Sequence, residues 1–290
     1  MTLAPGPLTL PSVAEHPLAT TFSRLEPLSQ FMELRLGAPG EGTAGRGGWE
    51  RCVDLLADPA RLDTWRARLA DWLRTAYGLA GAPERTTDGY VMAWYLGVPA
   101  LLGATLFHTA RRVPSLRPED LAFRLAGDRP HPDGIALLDG RFSCLPDDPA
   151  ADSPDSTMVA DEHALAELLR ARYVGHAARF VAVFGPTTRI GRRMLWAAAT
   201  DALDAALWQA GRVFGNEGAG VADAALLLPP DPTPLTSGSR LYQVSGPDGR
   251  SVWTRRRQSC CFHFALPGAE ACVTCPRTRD AERARRALEG

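Results

Sequence analysis

No lysine occurs among the 290 residues; all 32 basic side chains are arginine. A Schiff-base lysine, a phosphate-cradling lysine and a lysine general base are therefore excluded. Pyridoxal-phosphate enzymes, Walker-type NTPases and protein kinases leave the field with them. Asn216 is the only asparagine, and Ile135 and Ile190 are the only isoleucines, a bias that a GC-rich genome explains. Charge of either sign is not in excess: 32 basic residues stand against 33 acidic ones. The whole chain thus exerts no general pull on nucleic acid or an anionic membrane. With 45% hydrophobic and 22% charged residues it reads as globular. Its length suits one large domain or two small ones, enough for a core without disulfide staples.

The beginning, MTLAPGPLTLPSVAEHP, lacks basic residues and carries four prolines, unlike a secretory signal. One stretch, Gly89 to Ala110, has no Asp, Glu or Arg and is long enough to span a bilayer. Tyr90, Trp94, Tyr95, Gly97, Pro99, Gly103, Thr105 and His108 dilute it, so a buried central helix bent at Pro99 is the expectation. The protein is expected in the cytoplasm or peripheral to the inner face of the membrane, not as an integral membrane protein.

Hydrophobic periodicity predicts an α+β, predominantly helical fold with two small antiparallel β elements. Residues 1–48 read as a tail, a first helix from near Thr21 and a flexible loop over 37–48. Residues 49–158 read as a helical half, with helices over Trp49–Leu56, Arg61–Tyr77 and 85–112. In the second of these, Leu62, Trp65, Leu69, Trp72 and Leu73 share a face. A hairpin is expected around Asp139-Gly140, then an acidic linker over 146–158. Residues 159–257 read as a second helical half, from Asp161 to Phe214, with a hairpin around Gly246–Gly249. Residues 258–290 form the last segment, ending in an Arg-rich helix over Arg277–Leu288.

Four of six cysteines crowd into that segment: Cys260, Cys261, Cys272 and Cys275. Clustered thiols in a cytosolic chain point to a metal site or redox chemistry rather than a disulfide frame. Cys272-x-x-Cys275 is a spacing that lets two sulfurs chelate one metal from a single turn. Neighbours in a straight strand face opposite ways. Cys260 and Cys261 can both ligate only if the chain kinks, or if they serve different metal atoms. A dinuclear iron–sulfur cluster allows the second arrangement and a single zinc does not; a four-cysteine zinc site stays as the runner-up. A thioredoxin-like motif lacks its βαβ context, and c-type haem attachment lacks its histidine, since Pro276 follows. Cys52 and Cys144 stand alone and read as buried structural thiols.

The arrangement Cys260-Cys261, ten residues, Cys272, two residues, Cys275 resembles the C-terminal signature of the FhuF-like ferric-siderophore reductases. The approach through Arg255, Arg256 and Arg257, the loop Leu266-Pro267-Gly268 and Pro276 also look like that family. Val273-Thr274 departs from the small or polar pair expected between the last two cysteines. The resemblance implies a 2Fe–2S cluster on the four thiolates and one-electron reduction of an Fe(III)–siderophore substrate. It also implies an external electron donor, a reductase or a ferredoxin. Two rival readings remain: a helical binding module with structural zinc, and an iron–sulfur carrier or sensor.

Charge is uneven along the chain. Residues 250–290 hold nine arginines against four acids, and residues 1–249 hold 23 against 29. The basic end offsets an anionic thiolate centre or draws an anionic partner; no aromatic-plus-basic module points to nucleic acid. Arg255, Arg256 and Arg257 are the expected electrostatic contacts, and Trp253 a candidate wall for a chelate pocket. The other tryptophans read as core by spacing. His263 is expected near the thiols without ligating iron; His108, His163 and His176 read as packing or capping residues. Gly40, Gly42 and Gly45 match a dinucleotide fingerprint as a string but follow no strand, so a linker is the reading.

Overall fold

The structure is a computed structural model that describes residues 16–38 and 48–290. The expected tail before His16 and the loop carrying Gly40, Gly42 and Gly45 lie outside the described residues.

Helix starts follow the local chemistry. Pro17–Ser23 is α1. It is short because the expected helix from Thr21 gives way to a single 3₁₀ turn at Glu26–Leu28. Glu33–Leu36 is β1 and Trp49–Arg51 is β2. Cys52–Ala57 is α2 and Pro59–Ala76 is α3, whose cap Asp58 accepts the Ala60 N–H at 3.0 Å. The helix expected to begin at Trp49 starts at Cys52, because Trp49, Glu50 and Arg51 pair as a strand with Arg124, Phe123 and Ala122. In α3, Leu62, Trp65, Leu69 and Leu73 are buried as the stripe requires.

Glu84–Ala110 is α4, unbroken through Pro99. It is long and apolar enough to cross a membrane, yet 78% of its apolar window is buried inside the protein. It is the central element, packed above all against α6, Arg192–Val213. Between them in sequence lie β3 (Val113–Pro114), β4 (Leu121–Leu125), β5 (Pro132–Leu137), β6 (Phe142–Cys144), β7 (Ser156–Met158) and α5 (Glu162–Phe184). Then follow α7 (Glu217–Leu227), β8 (Leu241–Ser245), β9 (Ser251–Arg255) and α8 (Asp280–Glu289). Helix α7 was not expected. Its Gly- and Ala-rich sequence has little periodicity, but the only asparagine, Asn216, caps it by accepting the Ala219 N–H at 3.1 Å.

Three small sheets form among the described residues: β1-β5-β4-β2, β3-β6-β7 and β8-β9. The pair β8-β9 is the antiparallel hairpin expected around Gly246–Gly249. The hairpin expected at Asp139-Gly140 does not form. Strand β5 already has β1 and β4 on its two edges, so β6 turns away to pair with β3 and β7. The expected acidic linker is packed down: the Asp148 carboxylate takes both Nε and Nη2 of the buried Arg112, at 2.7 and 2.6 Å.

The buried side chains form a continuous core running from α1 to Leu266. The isolated cysteines are inside it, and burial pushes the Cys52 thiol up to about 12. His176 is enclosed between the Tyr95 hydroxyl at 2.9 Å and the Leu116 carbonyl at 2.6 Å. His108 pairs with the buried Asp223 at 2.6 Å. The fold class is α+β and predominantly helical.

Candidate metal centre

Helices α4, α6 and α8 hold the cysteine segment in place. On α6, the buried Asp201 carboxylate accepts the Gln258 N–H at 3.0 Å, the Ser259 N–H at 2.7 Å and the Ser259 hydroxyl at 2.6 Å. One carboxylate thus fixes the two residues ahead of Cys260. One turn further, buried Asp204 accepts the Ser239 hydroxyl at 2.6 Å and lies 3.7 Å from Arg255 Nη1. On α4, the Thr86 hydroxyl donates to the Phe262 carbonyl at 3.2 Å, and the Tyr90 hydroxyl is 2.6 Å from His263 Nδ1. Gly89 lies between them, directly against the Cys261 backbone.

The chain kinks after the adjacent cysteines. Phe262 adopts left-handed backbone angles, φ 58° and ψ 17°, and Arg85 stacks over its ring at 4.7 Å. The Phe262 N–H donates to Cys260 Sγ at 3.3 Å. Downstream, the Cys275 N–H closes a turn on the Cys272 carbonyl at 3.0 Å. Arg283 of α8, fully buried, donates to the Cys275 carbonyl at 3.0 Å and the Thr278 carbonyl at 2.6 Å.

These restraints bring the four thiols together two by two. Cys260 Sγ and Cys275 Sγ are 3.9 Å apart. Thiolate bonds of roughly 2.3 Å at a tetrahedral metal would set two sulfurs about 3.8 Å apart. Cys261 and Cys272 share one guanidinium nitrogen: Arg257 Nη2 is 3.8 Å from the first sulfur and 2.8 Å from the second. The adjacent cysteines therefore go to different partners, as a dinuclear centre allows. Among the described residues, no three Cys, His, Asp or Glu side chains converge on a single ion. The donor set fits a 2Fe–2S cluster: soft sulfur only, arranged in pairs, with a cation beside one pair.

Burial raises the Cys260 thiol to about 11 despite the Phe262 N–H, and it raises Cys272 despite Arg257. Metal binding displaces the proton from such thiols. Burial alone would lower Arg257, but the Cys272 and Cys261 sulfurs more than reverse it, so its charge is firmly held.

The three expected arginine contacts separate. Arg255 is buried, its Nη1 on the Asp201 carbonyl at 2.6 Å, so it braces α6 instead of meeting a partner. Arg256 is exposed and reaches the Pro276 carbonyl at 3.3 Å. Arg257 alone touches sulfur. Trp253 is half-buried on β9 and lines neither hollow next to the thiols. His263 sits beside Tyr90, its ring edge-on to Tyr77 as well. Sequence reasoning missed Asp201, Gly89 and Arg283. A carboxylate inside the apolar stripe of α6 and a glycine inside an apolar helix were signals for the first two; nothing local marks Arg283.

Residues 257–277 match the family model of the FhuF 2Fe-2S C-terminal domain, a stretch that contains all four cysteines and Arg257. The cofactor is a 2Fe–2S cluster. The match covers the cysteine segment and not the helical body. No curated protein matches the chain.

Proposed function

We propose that this protein is a cytoplasmic one-electron reductase of Fe(III)–siderophore complexes, with Cys260, Cys261, Cys272 and Cys275 as the cluster ligands. The gathering of these four thiols around Arg257, inside the stretch that matches the FhuF domain, carries the reading. Cys260 with Cys275 would hold one iron, and Cys261 with Cys272 the other. The cluster supplies one-electron chemistry when bound. Siderophore oxygens are hard ligands that hold Fe(III) tightly and Fe(II) weakly, so one electron loosens the iron. Arg257 offsets thiolate charge and donates to sulfur, which stabilises the more negative, reduced state. Asp201, Gly89 and Arg283 hold the two cysteine turns at the spacing the cluster needs. No second redox cofactor is part of the reading, so the electron comes from an external reductase or ferredoxin.

The test begins with anaerobic purification. Two irons and two sulfides per chain, a colour that bleaches with dithionite and a one-electron EPR signal are expected. The reduced protein is then mixed with Fe(III) trihydroxamate or tris-catecholate, and Fe(II) is trapped with a ferrous-specific chromophore. One zinc and no colour would overturn the cluster. A normal cluster that no ferric chelate reoxidises would leave an electron carrier or sensor. Full cluster retention in Cys272→Ser would refute the ligand assignment.

A further inference from the structure

A groove leads along α6 to the cysteine segment. Its inner part is a hollow of about 290 Å³ between α4 and α6, walled by Trp94, Gly97 and Ala202 and lined also by Arg257 and Ser259. It shares Ala205, Gln209 and Arg255 with an outer hollow of about 650 Å³, walled by Phe31, Trp208, Arg212 and Thr274. Thr274 lies between the last two cysteines. Phe31 is 57% exposed, an unusual position for a large apolar side chain.

Two features of the inner hollow suit a ligand. Gly97 faces it from the middle of α4, and a Cβ placed there would meet nothing within 4 Å. A helix-interior glycine costs roughly 0.5–1 kcal/mol relative to alanine. Nothing in the protein's own packing requires that cost, because no neighbour approaches. Arg257 lines the same hollow, and among the described residues its side-chain hydrogen bonds run through Nη2 alone. A second guanidinium nitrogen is left for an anionic acceptor in the hollow.

We propose that this groove seats the ferric chelate, with one flat, anionic, oxygen-donor arm in the inner hollow against Arg257 and the metal-bearing bulk in the outer hollow. This rests on the reductase reading above and adds where and how the substrate binds. Ligand pockets run to roughly 300–1,000 Å³; the outer hollow has that size and the inner one takes a single arm. Arg212 and Arg257 supply charge complementarity, and Trp94 a flat wall.

The arrangement has a consequence for the redox centre. Arg257 offers hydrogen bonds both to Cys272 Sγ, at 2.8 Å, and to the hollow. An anionic oxygen that draws on this guanidinium weakens its support of the thiolate. Seating the chelate therefore lowers the cluster potential and makes electron release easier when the acceptor is in place. By linkage, reduction weakens chelate binding by the same factor.

The test uses the cluster-loaded protein and redox-inert gallium(III) complexes of a trihydroxamate and a tris-catecholate, with tryptophan fluorescence as the binding readout. At least one complex is expected to bind and to lower the midpoint potential measured in a dithionite titration. Gly97→Leu, which fills the inner hollow away from the cysteines, is expected to weaken binding about tenfold or more while iron content and EPR spectrum stay unchanged. Arg257→Gln is expected to lower the resting potential and abolish the shift on binding. Failure of both complexes to bind, or unchanged affinity in Gly97→Leu and Gly97→Phe, would overturn the groove assignment. Binding without a shift in potential would overturn the role of Arg257. These outcomes are separate from failure of the reductase reading, which is the absence of Fe(II) production by the reduced wild-type protein.

Discussion

The backbone of Cys261 lies against the bare Cα of Gly89: a Cβ at Gly89 would stand 2.8 Å from the Cys261 carbonyl oxygen and 3.0 Å from its Cα. The neighbour is backbone and cannot rotate away. Helix propensity favours alanine over glycine by about 1 kcal/mol, but overpacking costs about 1–3 kcal/mol, and here the clash wins. Gly89→Ala is expected to lower the Tm and speed cluster loss to a chelator. Gly97→Ala, on the same helix with open space around it, is expected to raise the Tm. Equal shifts for the two variants would refute the close approach.

Asp201 joins the helical body to the cysteine segment with three accepted hydrogen bonds from Gln258 and Ser259. Asp201→Asn keeps the size but replaces one acceptor oxygen with a donor amide that faces backbone N–H groups. A loss of about 2–3 kcal/mol is expected, read by urea denaturation. Reduced iron occupancy at equal protein recovery should accompany it. Unchanged stability would show that these bonds do not tie the segment down.

Arg283 holds the Cys275 and Thr278 carbonyls with one fully buried guanidinium nitrogen. A lysine keeps the charge but not the planar fork. Arg283→Lys is expected to cost about 1–3 kcal/mol and to shorten the cluster's lifetime in air, monitored by its visible absorbance. A lifetime equal to that of the wild type would assign α8 no part in supporting the centre.

His176 makes folding sensitive to acid. Burial lowers its pKa from 6.5 to about 4. Between these values the unfolded chain binds a proton that the folded protein refuses. Stability therefore falls as pH drops from about 6.5 to about 4, by about 3 kcal/mol over the full window. In His176→Gln this slope should flatten, as measured by denaturation at stepped pH. A slope identical to the wild type would place the acid sensitivity elsewhere.

The clustering of four thiols near one end was legible in the chain because their number and spacing are covalent facts. The stripe of α3 and the apolar length of α4 were legible too, since burial imposes a helical period on a single element. The false hairpin at Asp139-Gly140 shows the limit of that reasoning. The turn dipeptide was present, but both edges of β5 were already occupied by β1 and β4. The three arginines before the cysteines looked equivalent in sequence. Only packing buried Arg255 in α6, exposed Arg256 and placed Arg257 on sulfur.

The sequence by itself determined which atoms can bind metal, which helices must be buried and that lysine chemistry is excluded. These follow from side-chain identity and from the period of one element at a time. Tertiary structure alone decided that Cys260 meets Cys275 while Cys261 and Cys272 share Arg257. It also decided that Gly89, Asp201 and Arg283 frame the site. Such contacts join residues far apart in the chain, and their energy depends on how the helices pack against one another, which no local pattern records.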